Sequence, residues 1–427
     1  MTTTRSLQGQ LVPAAEVAGV TAPVAEHLPP AGVRHGVGLV VALGGLSAFG
    51  PLSLDMYLPA LPTISAELHA GTASVQLTLT ACLAGLALGQ LVAGPLSDVV
   101  GRRRPLLVGV AGYVLASVLC AIAPTLPLLL AARLAQGMCG SAGIVVARAV
   151  VRDLYDGAGA ARYFARLMLV TGLAPILAPV LGAQLLPLTG WRGVFGVLAG
   201  LGLLLLAAVV LLVPETWPPE RRTGRGVRAS LGSTARLTGD RVLLGYALTC
   251  GLAFAAMFTY ISSSSFVVQD VYGASPQLFS GVFALNAVGL VTAGQLSGRA
   301  VGRVGPSRLL AVGVAAQAVG AVALLAVVLA HPRGLGLFVV PLFVVVAAVG
   351  FVTPNATALA LARHARQAGA ASALLGVLQY VIGAAAAPLA GLSGPHTALP
   401  MVAVMAALAV GALGLLVATG RAVRAAA

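Results

Sequence analysis

Stretches of about twenty apolar residues recur along this chain with only short polar breaks between them, and few folds accept that pattern. A helix needs about 20 apolar residues to cross the hydrocarbon layer of a bilayer, and inside that layer every backbone polar group must find its partner within the protein. Hydropathy predicts spans at Val37–Leu58, Ser74–Leu96, Pro105–Ala123, Leu126–Val151, Tyr163–Leu188 and Trp191–Val213. A second set follows at Val242–Val268, Gln277–Val301, Pro306–Leu329, Leu335–Ala362, Gly369–Gly391 and Thr397–Thr419. The expected architecture is an all-α membrane protein of twelve transmembrane helices in two pseudo-symmetric six-helix bundles. The bundles occupy residues 37–213 and 242–419, joined by an arginine- and proline-rich cytoplasmic linker at 214–241. Residues 1–36 and 420–427 are expected to be cytoplasmic tails, the first disordered.

Charged residues make up only 8% of the chain, against about 25% in soluble proteins. Every basic residue is arginine, so neither a phosphate-binding loop ending in Lys-Ser/Thr nor a Schiff-base lysine exists. ATP is therefore not the expected energy source. The net charge of +14 does not point to nucleic acid, because the arginines sit in short loops between apolar spans, where they set orientation and meet anionic lipid. With the N-terminus inside, 22 arginines fall on the cytoplasmic side, Arg192 and Arg333 fall outside, and Arg133 lies within a span. That bias places both termini in the cytoplasm and the protein in the cell membrane.

Cys82, Cys120, Cys139 and Cys250 all lie in spans and read as small packing residues. His27, His35, His69, His331, His364 and His396 lack the close spacing of a metal site, so no metal is expected. No clustered acids or nucleophile-base set suggests an enzyme. A membrane sensor would carry a sizeable output domain, which the sequence lacks.

The break between the second and third spans concentrates charge: Gly94-Pro95-Leu96-Ser97-Asp98-Val99-Val100-Gly101-Arg102-Arg103-Arg104. Gly89, Gln90, Leu91, Gly94, Gly101 and Arg104 are echoed by Gly294, Gln295, Leu296, Gly298, Gly305 and Arg308, as an internal duplication predicts, while Asp98 is replaced by Gly302. Gly85, Gly89, Ala93 and Gly94 offer a small-residue surface for close helix approach. In the first span Asp55 stands in Asp55-Met56-Tyr57-Leu58-Pro59-Ala60-Leu61-Pro62. A carboxylate deep in a span costs roughly 2.5–3.5 kcal/mol on insertion scales, and the alternative is an interfacial position at the outer end. Arg133 in Arg133-Leu134-Ala135-Gln136-Gly137 is about seven residues into its span and needs an acidic or backbone partner. By depth that partner is Asp55; the alternative is snorkelling to the surface. Arg148, Arg152 and Asp153 read as ion pairs at the cytoplasmic end.

The pattern Gly-x-x-x-Asp-x-x-Gly-Arg-Arg at Gly94, Asp98, Gly101, Arg102 and Arg103 resembles the loop between helices 2 and 3 of the major facilitator superfamily. The Asp55 to Pro62 segment is similar to the first-helix signature of its twelve-span drug:proton antiporters of the bicyclomycin/chloramphenicol (Bcr/CflA) type. The resemblance runs from Val37 to Thr419. It implies proton coupling through Asp55 and Arg133, and a cytoplasmic gate at residues 94–103 that opens and shuts, against a static topology signal. Thr171 to Ala183, with Pro175, Pro179 and Gly182, resembles the antiporter motif of helix 5 but carries Ala174, Ala178 and Ala183 where that motif has glycine. Tyr57, Gln136, Phe254, Phe258, Tyr260, Asn286, Asn355 and Gln379 are candidate cavity residues, the amides being equally open to helix–helix bonding. The implied activity is proton-driven efflux of a small amphiphilic drug by a monomer embedded in lipid, with no cofactor; a proton-coupled metabolite porter is the alternative.

Overall fold

The computed structural model describes residues 37–155, 157–222, 236–330, 334–362, 368–391 and 397–425. The expected N-terminal tail, residues 223–235 of the linker and five of the six histidines lie outside them. Within them the chain is a succession of long helices: α2 Thr72–Val100, α3 Arg103–Ile122, α4 Leu126–Leu154, α7 Arg241–Phe266, α8 Pro276–Val304, α9 Pro306–Leu329, α10 Leu335–Ala362, α11 Ala368–Ala386 and α12 Leu399–Ala425. The last runs on through most of the stretch expected to be a tail.

One place matches the hydropathy reading closely and another departs from it. Helical structure extends over the 56 residues Gly157–Leu212, about 84 Å at 1.5 Å per residue and far too long for one crossing, but it parts where the spans Tyr163–Leu188 and Trp191–Val213 are expected to part. Gly190, at φ 65° and ψ −177°, breaks it into α5 (157–189) and α6 (191–212). The first span is longer than expected. Val37–Ser47 and Phe49–Asp55 continue through a 3-10 turn, Leu58–Ala60, into Leu61–Glu67, and together these form α1, bent by 47°. Pro59 and Pro62 explain the turn, since neither can donate to the carbonyl four residues back. Asp55 is therefore about 18 Å of helix rise from Glu67 rather than at the outer end. With α1 and the divided helix, the described residues make twelve crossings.

Lipid exposure is written on the helices at seven-residue spacing: Val108 and Leu115, Leu204 and Leu211, and Val312 and Val319 are all exposed large apolar side chains. Inside each half, glycines let backbones touch. A Cβ at Gly137 would lie 2.1 Å from the Cys82 carbonyl oxygen, and one at Gly85 2.2 Å from that of Leu134. The second half repeats this between α8 and α10, where a Cβ at Gly350 would meet the Leu290 carbonyl oxygen at 2.4 Å.

The duplicated turns also match. Gly101 has φ 95° and ψ 169°, and Gly305 φ 84° and ψ 150°, a region essentially reserved for glycine. At Gly101 a Cβ would also stand 2.4 Å from Glu215 Oε2. Gly101→Ala should therefore destabilise the protein by about 1–3 kcal/mol, read as a lower melting temperature in detergent. Gly305→Ala carries the backbone strain without that clash, since nothing lies within 4 Å of its Cβ position, and should lower the melting temperature less.

Candidate functional site

The arginine turn is built around Arg102, only 2% exposed. Its Nε donates to Asp153 Oδ2 at 2.8 Å, and its Nη1 donates to Asp98 Oδ1 at 2.5 Å and Ser97 Oγ at 2.8 Å. The Trp217 ring lies under the guanidinium at 4.6 Å. Glu215 accepts from the backbone N–H groups of Arg102 and Arg103, and Arg103 Nη2 donates to the Val210 carbonyl. The cluster thus ties the ends of α2, α4 and α6 together within the first half. Asp98 remains half exposed, and Gly94 makes only ordinary contact with Val145. Asp153 pairs with Arg102, so the expected ion pairing with Arg148 and Arg152 is not what this acid does. Glu215 and Trp217 stand just past Pro214, in a stretch that reads as linker, and nothing in the sequence marked them.

Arg133 is fully buried between α1, α3 and α4. Its Nη2 donates to the Ser53 carbonyl at 2.8 Å, and its Nη1 to Gln136 Oε1 at 2.5 Å. Gln136 Nε2 donates in turn to Ser117 Oγ at 2.7 Å, and the Ser53 and Tyr113 hydroxyls meet at 2.8 Å. The Tyr57 ring covers the guanidinium at 4.3 Å and Phe195 at 5.5 Å, while the Tyr57 hydroxyl bonds Thr78 Oγ1 at 2.8 Å. The expected ion pair with Asp55 is absent. Ser53 and Asp55 are two residues apart on a helix, roughly 200° around its axis, so an arginine that reaches the Ser53 side leaves Asp55 on the opposite face. Tyr57 and Gln136 belong to this buried network and not to a cavity wall, which corrects their assignment.

Asp55 faces a cavity of about 540 Å³ between the two halves. It is 6% exposed and makes no hydrogen bond or ion pair among the described residues. Phe254, Phe258, Tyr260, Asn286 and Gln379 line the same cavity, as expected, together with Phe283, Tyr380, Gln90 and Arg148. Asn286 Nδ2 donates to the Tyr260 hydroxyl at 2.9 Å, and Phe283 stacks on Tyr260 at 5.6 Å. Asn355 is not part of the wall: it donates to Ser297 Oγ at 2.7 Å and ties α10 to α8.

Beyond Asp55, at the end remote from the arginine turn, the halves are sealed. Ser265 Oγ donates to the Leu58 carbonyl at 2.6 Å, and Gln269 Nε2 to that of Pro59 at 3.2 Å. Gln76 Nε2 reaches Ser263 Oγ at 3.2 Å, Gln277 Nε2 the Ala183 carbonyl at 3.4 Å, and Ser280 Oγ the Pro179 carbonyl at 2.9 Å. Two of these acceptors are carbonyls that proline deprives of a helical donor: Pro62 follows Leu58 by four residues, and Pro187 follows Ala183 by four. Pro175 lines the cavity. Gly182 sits directly against α1, where a Cβ would come within 1.7 Å of the Met56 carbonyl oxygen. The motif of helix 5 therefore shapes the seal as well as the wall. The double variant Ser265→Ala, Gln269→Ala removes two neutral bonds between the halves, contributing about 0.5–1.5 kcal/mol each, along with the Gln269–Ser265 bond within α7 and its extension. Amide exchange at residues 58–64 and 262–271 should rise roughly ten-fold, with no change around Gly101.

Two six-helix halves around a shared central cavity, one end sealed by contacts between them, define a membrane transporter rather than an enzyme. Residues 41–388 match the model of the Major Facilitator Superfamily, and the chain belongs to that family. An uncharacterized MFS-type transporter of Bacillus subtilis, YdgK, is 39% identical over 379 residues, 88% of this chain and 94% of that one. The bicyclomycin resistance protein homolog of Haemophilus influenzae is 30% identical, covering 87% of this chain and 93% of its own. The multidrug resistance protein MdtL of Escherichia coli is 30% identical over 77% of this chain and 82% of its own. Among solved structures, an inward-facing bacterial homologue of the lysosomal transporter Spinster superposes with a TM-score of 0.69 at 15% identity, covering 89% of this chain and 94% of that one. A D-xylose-proton symporter superposes with 0.68 at 17% identity, covering 89% and 96%. The protein is a multi-pass membrane transporter.

Proposed function

We propose that this transporter exports a small amphiphilic compound of the drug or antibiotic kind in exchange for protons, using the bundles 37–213 and 242–419 as its two moving halves. The observation that carries the reading is Asp55, an acid without a partner in a largely apolar cavity between those halves. A carboxyl there exchanges its proton with whichever side the cavity faces, so the proton gradient supplies the energy and no cofactor is needed. The relatives that bear the names bicyclomycin resistance homolog and MdtL support export as the direction.

The seal beyond Asp55, with the cavity running towards the arginine turn, corresponds to a state open on the arginine-bearing side. By the positive-inside rule that side is the cytoplasm, with both termini there. Asp98, half exposed in this state, is free to take a partner on the second half when the cytoplasmic side closes, which gives Gly94 to Arg103 its gating role. A monomer suffices, since the cavity lies wholly within one chain. Growth-inhibition assays with chloramphenicol and bicyclomycin, in cells with and without the protein, test the reading. Raised tolerance to either that is lost when the proton gradient is collapsed supports it; unchanged tolerance together with accelerated uptake of these compounds opposes it.

A further inference from the structure

Asp55 and Arg148 are the only charged side chains among the residues lining the central cavity. Arg148 is exposed and makes no hydrogen bond or ion pair among the described residues. Two arginines of the arginine turn, by contrast, are held: Arg102 by Asp98 and Asp153, and Arg103 by the Val210 carbonyl. Asp153, five residues on from Arg148 in the same helix, points about 140° away around the axis and is already engaged by Arg102. Arg148 stands six residues before the end of α4, about 9 Å inward, exposed in the cavity and with its guanidinium donors open to a ligand that enters it.

The spacing of the two charges follows from helix contacts. A Cβ at Gly50 would meet Ile144 Cδ1 at 3.2 Å, so these residues are level. Asp55 lies five residues beyond Gly50 towards the sealed end, and Arg148 four beyond Ile144 towards the arginine turn. Roughly 13 Å of helix rise therefore separates their Cα levels, part of which the long arginine side chain can span. The same wall carries the aromatic rings of Phe254, Phe258, Tyr260 and Phe283 among aliphatic side chains.

We propose that Arg148 and Asp55 are the two poles of a zwitterion site: the cavity takes an amphiphile whose cationic amine meets Asp55 and whose carboxylate meets Arg148, with an aromatic or apolar body between them. This rests on the cavity being the substrate site. A purely cationic ligand would leave Arg148 unpaired, and a purely anionic one would leave Asp55 unpaired. Only a molecule carrying both charges compensates both.

Three compounds on one scaffold test it on the purified full-length protein: 4′-(aminomethyl)biphenyl-4-carboxylic acid, 4-(aminomethyl)biphenyl and biphenyl-4-carboxylate, with affinities measured by equilibrium binding. The zwitterion should bind at least ten-fold more tightly than either single-charge analogue. In Arg148→Gln it should fall to the level of the amine, while the affinity of the amine itself is unchanged or improved. Arg148→Lys, which keeps the charge, should retain a preference for the zwitterion. If the amine binds the parent as tightly as the zwitterion does, the proposal fails while the cavity stands as the substrate site. An equal loss for all three compounds in Arg148→Gln would reduce Arg148 to a structural residue and also overturns it. Binding by none of the three would count against the cavity as the substrate site itself.

Discussion

Asp55→Asn should abolish proton-driven, uphill transport while leaving the melting temperature of the detergent-solubilised protein within about 2 °C of the parent. The acid is buried in the cavity wall and bonded to nothing, so an amide of the same shape breaks no contact. Energy-independent exchange of substrate should survive, because the seal at Leu58, Pro59 and Ala183 does not involve the carboxyl. Loss of both uphill transport and exchange would mean that the variant fails to move between states, and Asp55 would then have a structural role.

Arg133→Ala should behave in the opposite way, disturbing the fold first. It removes two charge-assisted hydrogen bonds worth about 1.5–3 kcal/mol each, and offsets this by roughly 2.5–3.5 kcal/mol of charge burial no longer incurred. The net loss is about 1–2 kcal/mol, with Gln136 and the Ser53 carbonyl left without their donor. Lysine cannot present the same fork of donors to both acceptors, so Arg133→Lys should recover only part of it. Since Arg133 and Asp55 face opposite sides of α1, the double variant Asp55→Asn, Arg133→Ala should lose stability additively, within about 0.5 kcal/mol. Coupling well beyond that would mean the two meet in another state of the transport cycle.

This contrast marks where sequence reading stopped. The spans, the arginine turn and its echo at Gly305 were legible because hydropathy and glycine placement are local properties. The depth of Asp55 was not. Pro59 and Pro62 look like the end of a helix, yet the chain re-forms a helix at Leu61 and continues to Glu67. Depth alone also paired Asp55 with Arg133, where helical phase separates them: Ser53 and Asp55 are too close in sequence to share a face. Tyr57 and Gln136 were drawn into the cavity by the same omission. Helical phase from Asp55 and Ile144 could have placed Arg148 in the wall, but only once α1 and α4 were known to touch at Gly50. Glu215 and Trp217 gave no signal, because their place beneath Arg102 depends on how α6 returns to the arginine face.

The central claim, that Asp55 carries the proton exchanged for substrate, is tested most directly by counting protons. The purified protein is placed in weakly buffered detergent solution with a pH indicator, at a pH where Asp55 holds its proton, and saturated with the amine 4-(aminomethyl)biphenyl. The parent should release roughly one proton for each amine bound, and Asp55→Asn should release none. Equal release from both proteins, or binding without release by the parent, would contradict the account.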